Sequence, residues 1–169
     1  MISFEILIIP GCLYLALSLV DQLRFHGGRH LNRNEAKTHC LSTFFVLLAT
    51  LPLIAFPPSQ GVLILFLLAS TAGALFILLD ESSHLSKISV HEGHLHGALH
   101  MLYPLAMVSL LSFWPFIHPK LPFYIGLIAP DLVSNPQLAL LALGTFSVGQ
   151  LLILGLQVRQ LLATIGSQP

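Results

Sequence analysis

Three short stretches of the chain carry imidazoles and carboxylates at helical spacing. Glu92, His96 and His100 stand four residues apart, and residues three or four apart share a helix face. Glu81 and His84 stand three apart within Asp80-Glu81-Ser82-Ser83-His84, and Glu35 and His39 stand four apart. Asp21 and His26 follow the first apolar run. Carboxylates bridge and neutralise divalent cations, and neutral imidazoles complete the coordination spheres while leaving positions open for oxygen or substrate. A dinuclear centre inside a helix bundle needs such sets, with glutamates and Glu-x-x-His pairs facing inward from four helices. Glu81-x-x-His84 has that spacing, while Glu35-x-x-x-His39 and Glu92-x-x-x-His96 are one residue longer. The expected metal ligands are Glu35, His39, Asp80, Glu81, His84, Glu92, His96 and His100, with Asp21, His26, His91 and Tyr103 as additional candidates.

Each candidate also has a plainer reading. His26, His30 and His94 fit solvated positions near helix ends, where a cation suits the C-terminal dipole. Asp21 can pair with Arg24 across one turn. Arg29 and Arg33 suit lipid headgroups. Tyr103 reads as a hydrogen-bond partner beside the metal or, equally, as an aromatic at the membrane interface. His118 stands apart from the other histidines and reads as structural. His100 falls about two turns into an apolar helix, where an ionisable side chain is costly and marks function by default. Pro104 would free the carbonyl of His100 and kink that helix. Gly93 and Gly97 form a small-xxx-small pair that would admit a neighbouring helix against the ligand row.

The elements that position these residues follow from composition. Of 169 residues, 55% are hydrophobic and only 8% are charged, against about 25% charged in a soluble domain. A bilayer is the solvent that fits. Formal net charge is zero, so there is no basic footprint for nucleic acid. Cys12 and Cys40 lie far apart in or beside apolar runs and suggest helix packing, not a disulfide or a metal clip. Glu5 occupies the place of a basic n-region and no small-residue cleavage site follows Val20, so the first apolar run reads as a retained helix.

The expected fold is an all-α integral membrane protein, a single bundle of about five transmembrane helices at 4–23, 36–56, 61–80, 91–115 and 136–162. Residues 38–79 contain no Asp, Glu, Lys or Arg, and Pro57-Pro58 divides that run in two. The proline-rich segment 116–136, with Trp114, Phe116, Phe123 and Tyr124 in or beside it, reads as an irregular loop or interfacial helix. Arg24, Arg29, Arg33, Lys37, Lys87 and Arg159 fall on one side of such a bundle and only Lys120 on the other. The positive-inside rule then places the N-terminus outside and the C-terminus in the cytoplasm. Eight of the nine histidines and five of the seven acids share that cytoplasmic side. The expected location is a membrane of the bacterial inner type, with the metal site facing the cytoplasm.

Function is expected to follow from the metal. The leading expectation is an oxidoreductase of the hydroxylase, desaturase or oxygenase type. It would hold two Fe and oxidise a lipid-like or hydrophobic substrate with O2, drawing electrons from a separate donor protein. Zn and Mn are alternatives, because imidazole and carboxylate suit all three. The order DExxH then ExxxHxxxH, over about residues 80–104, resembles that of certain small bacterial membrane proteins, without implying an activity. The chain is similar to fatty-acid desaturases and hydroxylases only in gathering histidines at helix ends on one membrane face, and it lacks their HxxHH boxes. A zinc hydrolase is a second expectation, although His91-Glu92-Gly93-His94 departs from HExxH. A metal-binding or transport protein without catalysis is a third, with ligands on one side only counting against transport.

Overall fold

A computed structural model describes residues 4–26, 31–84, 88–118 and 136–166, the side chains of 4–6 and 82–84 excepted. Among the described residues there are five helices and no strand. They are α1 (Phe4–Val20), α2 (Arg33–Ala55), α3 (Gln60–His84), α4 (Val90–Ile117) and α5 (Pro136–Gly166). A π-helical turn, Asp21–His26, prolongs α1. All five helices are long and apolar enough to cross a membrane. Most of the segment expected as an irregular loop, and His30 with it, lies outside the described residues.

The helix ends differ from expectation where local hydrogen bonding decides them. α2 starts at Arg33, three residues early, because Asn32 caps it. The Asn32 side chain accepts from the Glu35 amide at 2.8 Å, and Glu35 reaches back to the Asn32 amide at 3.4 Å. This reciprocal pair satisfies two of the orphan donors of a helix start. α4 starts at Val90 with Ser89 as cap, its hydroxyl accepting from the Glu92 amide at 3.2 Å. α3 runs about a turn past its expected end, to His84, and α5 continues to Gly166. The capping patterns Asn32-x-x-Glu35 and Ser89-x-x-Glu92 stand in the sequence as start signals.

α2 packs against α3 and α5, and α1 packs against α4. The core is apolar, but the outer surface differs from that of a soluble bundle. Large apolar side chains face outward, such as Leu67, Leu68, Leu75, Leu78 and Leu79 on α3, while Gln22, Glu35, Thr50, Asp80, Glu92 and Gln150 are buried. A water-soluble protein rarely exposes so continuous an apolar surface. Around lipid that surface is in its own solvent, and polar groups are driven inward to find partners.

The tightest approaches are not where the sequence placed them. Among the described residues nothing lies within 4 Å of a side chain added at Gly97, and Gly93 meets only Ile88, so no described helix packs against this pair. The close contacts are at Gly149, against Leu15, and at Gly73, where an added Cβ would meet the Tyr103 hydroxyl at 2.5 Å. That hydroxyl donates to the Ser70 carbonyl at 2.8 Å, and the ring meets Tyr14 edge-on with centroids 5.6 Å apart. Tyr103 is therefore a buried tie between α4 and α3. It is neither an interface aromatic nor a contact of the ligand cluster.

Candidate metal centre

The ligand-bearing helix ends converge at one end of the bundle. The end of α1 supplies Asp21 and His26, the start of α2 supplies His39, and the end of α3 supplies Asp80 and Glu81. The start of α4 supplies Glu92, His96 and His100.

His96 lies at the centre. Its Nε2 is 3.1 Å from Asp21 Oδ1, and its Nδ1 is 2.9 Å from Glu81 Oε2. The other oxygen of Asp21, Oδ2, is 3.2 Å from His26 Nδ1. The His26 ring lies between two others: it stacks on His96 with centroids 6.0 Å apart, and it meets His39 edge-on at 4.4 Å. His39 Nε2 pairs with Asp80 Oδ2 at 3.1 Å, and Thr38 donates to Asp80 Oδ1 at 2.7 Å. His100 sits at the rim, with Nε2 4.0 Å from Glu81 Oε2.

Among the described residues two sets of three donors are close enough to share an ion. One ligand atom from each of Asp21, His26 and His39 lies within 4.8 Å of the others, and so does one from each of His26, Glu92 and His96. All five of these residues are buried. Bonds of about 2.1 Å put neighbouring donors of one coordination sphere about 3 Å apart and opposed donors about 4.2 Å apart. The pairs at 3.1 and 3.2 Å already meet the first spacing. Asp21 turns one oxygen toward His96 and the other toward His26, the residue that both sets share.

The sequence candidates divide as follows. Asp21, His26, His39, Asp80, Glu81, Glu92 and His96 come together, with His100 at the edge. Glu35 is buried nearby and caps α2, and neither set includes it. His91 is exposed and takes no part, and His94 is exposed as expected. The side chain of His84 lies outside the described residues. His118 Nε2–H donates to the Leu53 carbonyl, 3.3 Å away, at the far end of the bundle.

His26 is an additional ligand candidate from the sequence, with a solvated helix-end position as its plainer reading; it is 0% exposed, which removes the plainer reading. The cause is the π-helical turn, whose i to i+5 pattern brings residues five apart onto one face. Asp21 and His26 have that spacing. The pairing also leaves Arg24 out: it is exposed and lies over the Phe25 ring at 5.8 Å.

The glutamines of α5 went unread. Gln160 donates to the His26 carbonyl at 2.7 Å and accepts from Gln22 at 2.9 Å, so it holds the π turn from below. Gln150 and Gln157 line a cavity of about 70 Å³ that opens beside His96 and Asp80. Their signal was available, since Gln150 and Gln157 are seven apart and share one face of an otherwise apolar span.

No family model, no curated protein and no solved structure matches this chain. The centre is therefore read from its own residues.

Proposed function

We propose that the chain is an integral membrane protein whose buried histidine–carboxylate cluster holds two divalent cations and oxidises a hydrophobic substrate. The observation that carries this reading is the pair of overlapping three-donor sets, Asp21–His26–His39 and His26–Glu92–His96, with Asp80 and Glu81 beside them as the further donors a second cation needs, because a neutral His26 gives its lone pair to one cation only. Burying this many ionisable groups costs free energy unless they are paired or bind metal. Oxygen and nitrogen donors without thiolate suit iron, manganese or zinc. A dinuclear iron pair would supply the redox capacity for O2 chemistry, with electrons delivered by a separate partner protein.

Orientation is part of the proposal. Arg24, Arg33, Lys37 and Arg159 lie at the ligand-bearing end, which the positive-inside rule assigns to the cytoplasm.

Metal content tests the reading. Protein purified in mild detergent, without chelators or nickel resin, is expected to carry two irons, or an iron–manganese pair, per chain. A single zinc would make the centre hydrolytic or structural, and protein that stays metal-free after reconstitution would overturn the proposal. Orientation has its own test. In a background lacking Cys12 and Cys40, a membrane-impermeant thiol reagent added to intact cells should label Ser59→Cys and spare Arg33→Cys. The reverse pattern would invert the topology and leave the cluster untouched.

A further inference from the structure

The cavity beside the cluster has two unlike walls. One wall is the proposed metal centre, with Asp21, His39, Asp80, Glu81 and His96. The other reaches toward the middle of the bundle and includes Tyr14, Ile77, Leu99 and Ile153. Gln150 and Gln157 of α5 line it at two heights, about 10 Å apart along the helix axis. Both are nearly sealed from the surface, Gln150 at 2% exposure and Gln157 at 5%. The Gln150 side-chain nitrogen Nε2 and the Gln157 oxygen Oε1 have no hydrogen-bond partner among the described residues. Buried amide groups in native proteins are nearly always satisfied, by protein, by water or by a ligand. At about 70 Å³ the space holds roughly five to seven water-sized groups.

We infer that this cavity binds an uncharged, oxygen-bearing group of an amphiphile, such as an alcohol, aldehyde, ketone or amide carbonyl, with Gln150 donating to its oxygen. The inference rests on the proposed centre for the group's role as substrate. Gln150 offers N–H donors, so the group that meets it is an acceptor, which excludes an ammonium. Among the described lining residues there is no Lys or Arg and there are three carboxylates, so in metal-free protein a phosphate or carboxylate headgroup meets only like charge. The shallower Gln157 oxygen accepts, which favours an oxygen-bearing group that also carries a donor, a hydroxyl or an N–H. A neutral headgroup seated here places its adjoining carbon against the His96 wall, with its tail among Tyr14, Leu99 and Ile153.

The probe is a long-chain primary alcohol with a photoreactive diazirine near its hydroxyl, added to the full-length protein in liposomes. The cross-link is expected within the α5 peptide around Gln150, competed by excess 1-hexadecanol and, in protein freed of metal by a chelator, not by palmitate. Gln150→Leu should lower that cross-link at least fivefold with metal content unchanged, and Gln150→Met, which keeps the side-chain length, should do the same if the leucine variant fails to accumulate. Equal labelling in both variants, or equal competition by palmitate in the metal-free protein, would overturn the inference. Equal labelling in a metal-bearing protein means that only water satisfies Gln150, and the metal proposal stands. Gln150-dependent labelling in a protein that never holds metal keeps the pocket and removes the proposed chemistry.

Discussion

The two ends of the bundle use the same residue type in opposite ways. At the far end, His118 meets one backbone carbonyl, that of Leu53, and Trp114 donates to another, that of Phe56, at 2.9 Å. Ser109 likewise donates to the Leu7 carbonyl. Around them the core is apolar and closed, with Phe113, Leu53 and Leu143 buried. At the near end His96 meets two carboxylates from two other helices, and His39 meets a third. Polar side chains of the first kind satisfy orphan carbonyls and hold helices together. Those of the second kind gather charge in a low-dielectric place, which tightens packing less well than apolar contact does. A histidine's company, and not its presence in a membrane helix, separates a structural role from a chemical one.

That contrast breaks first at Asp21. Asp21→Ala removes the carboxylate facing both donor sets, and His96→Ala removes the residue at their centre. Either is expected to lose most of the bound metal, measured per chain by elemental analysis, with helical circular dichroism retained. Full metal content in both variants would mean that the near end, like the far end, is only structural. A second effect is acid release. Imidazoles bind metal only when neutral, so protons compete with the metal and its affinity should weaken as pH is lowered. A dissociation constant that stays the same between pH 8 and pH 5 would count against histidine ligation.

Smaller effects belong to the packed regions. Gly73→Ala sets a methyl group against the Tyr103 hydroxyl and is expected to lower stability by about 1–3 kcal/mol. Trp114→Phe gives up one hydrogen bond and should cost about 1–2 kcal/mol. Thermal unfolding in detergent reads both, and metal content should not move in either. The smallest effect is expected from His91→Ala, which removes an exposed imidazole and should leave both stability and metal content unchanged.

The helices were legible in the sequence because charge is what hydrocarbon excludes. The charge-free run over 38–79 and its Pro57-Pro58 break mark α2 and α3 to within a few residues. The Glu92 and His96 pair was legible because α-helical spacing holds at the start of α4. Three features were read incompletely, each for a physical reason. Asp21 and His26 were only additional candidates, because they obey the spacing of a π turn, which no α-helical rule detects. Glu35 shares a face with His39, yet the free donors at the start of α2 hold its carboxylate. Gln150, Gln157 and Gln160 carry no charge, so a search for charge passes over them although their amides are as demanding as any buried polar group.

The wide turn at the end of α1 fixes a register as well as a contact. Removing one residue from Gln22–Phe25 would let the helix continue at 3.6 residues per turn, and Asp21 and the shortened chain's histidine would then stand four apart. The histidine would reach nearly the same height and azimuth, because five residues of a π turn and four of an α-helix advance the chain by about the same amount. A chain built on the same plan should therefore carry its aspartate and histidine five positions apart across a π turn, or four apart where the α-helix runs on. Those counts are a pattern by which other sequences can be searched, and they depend on backbone geometry rather than on side-chain similarity.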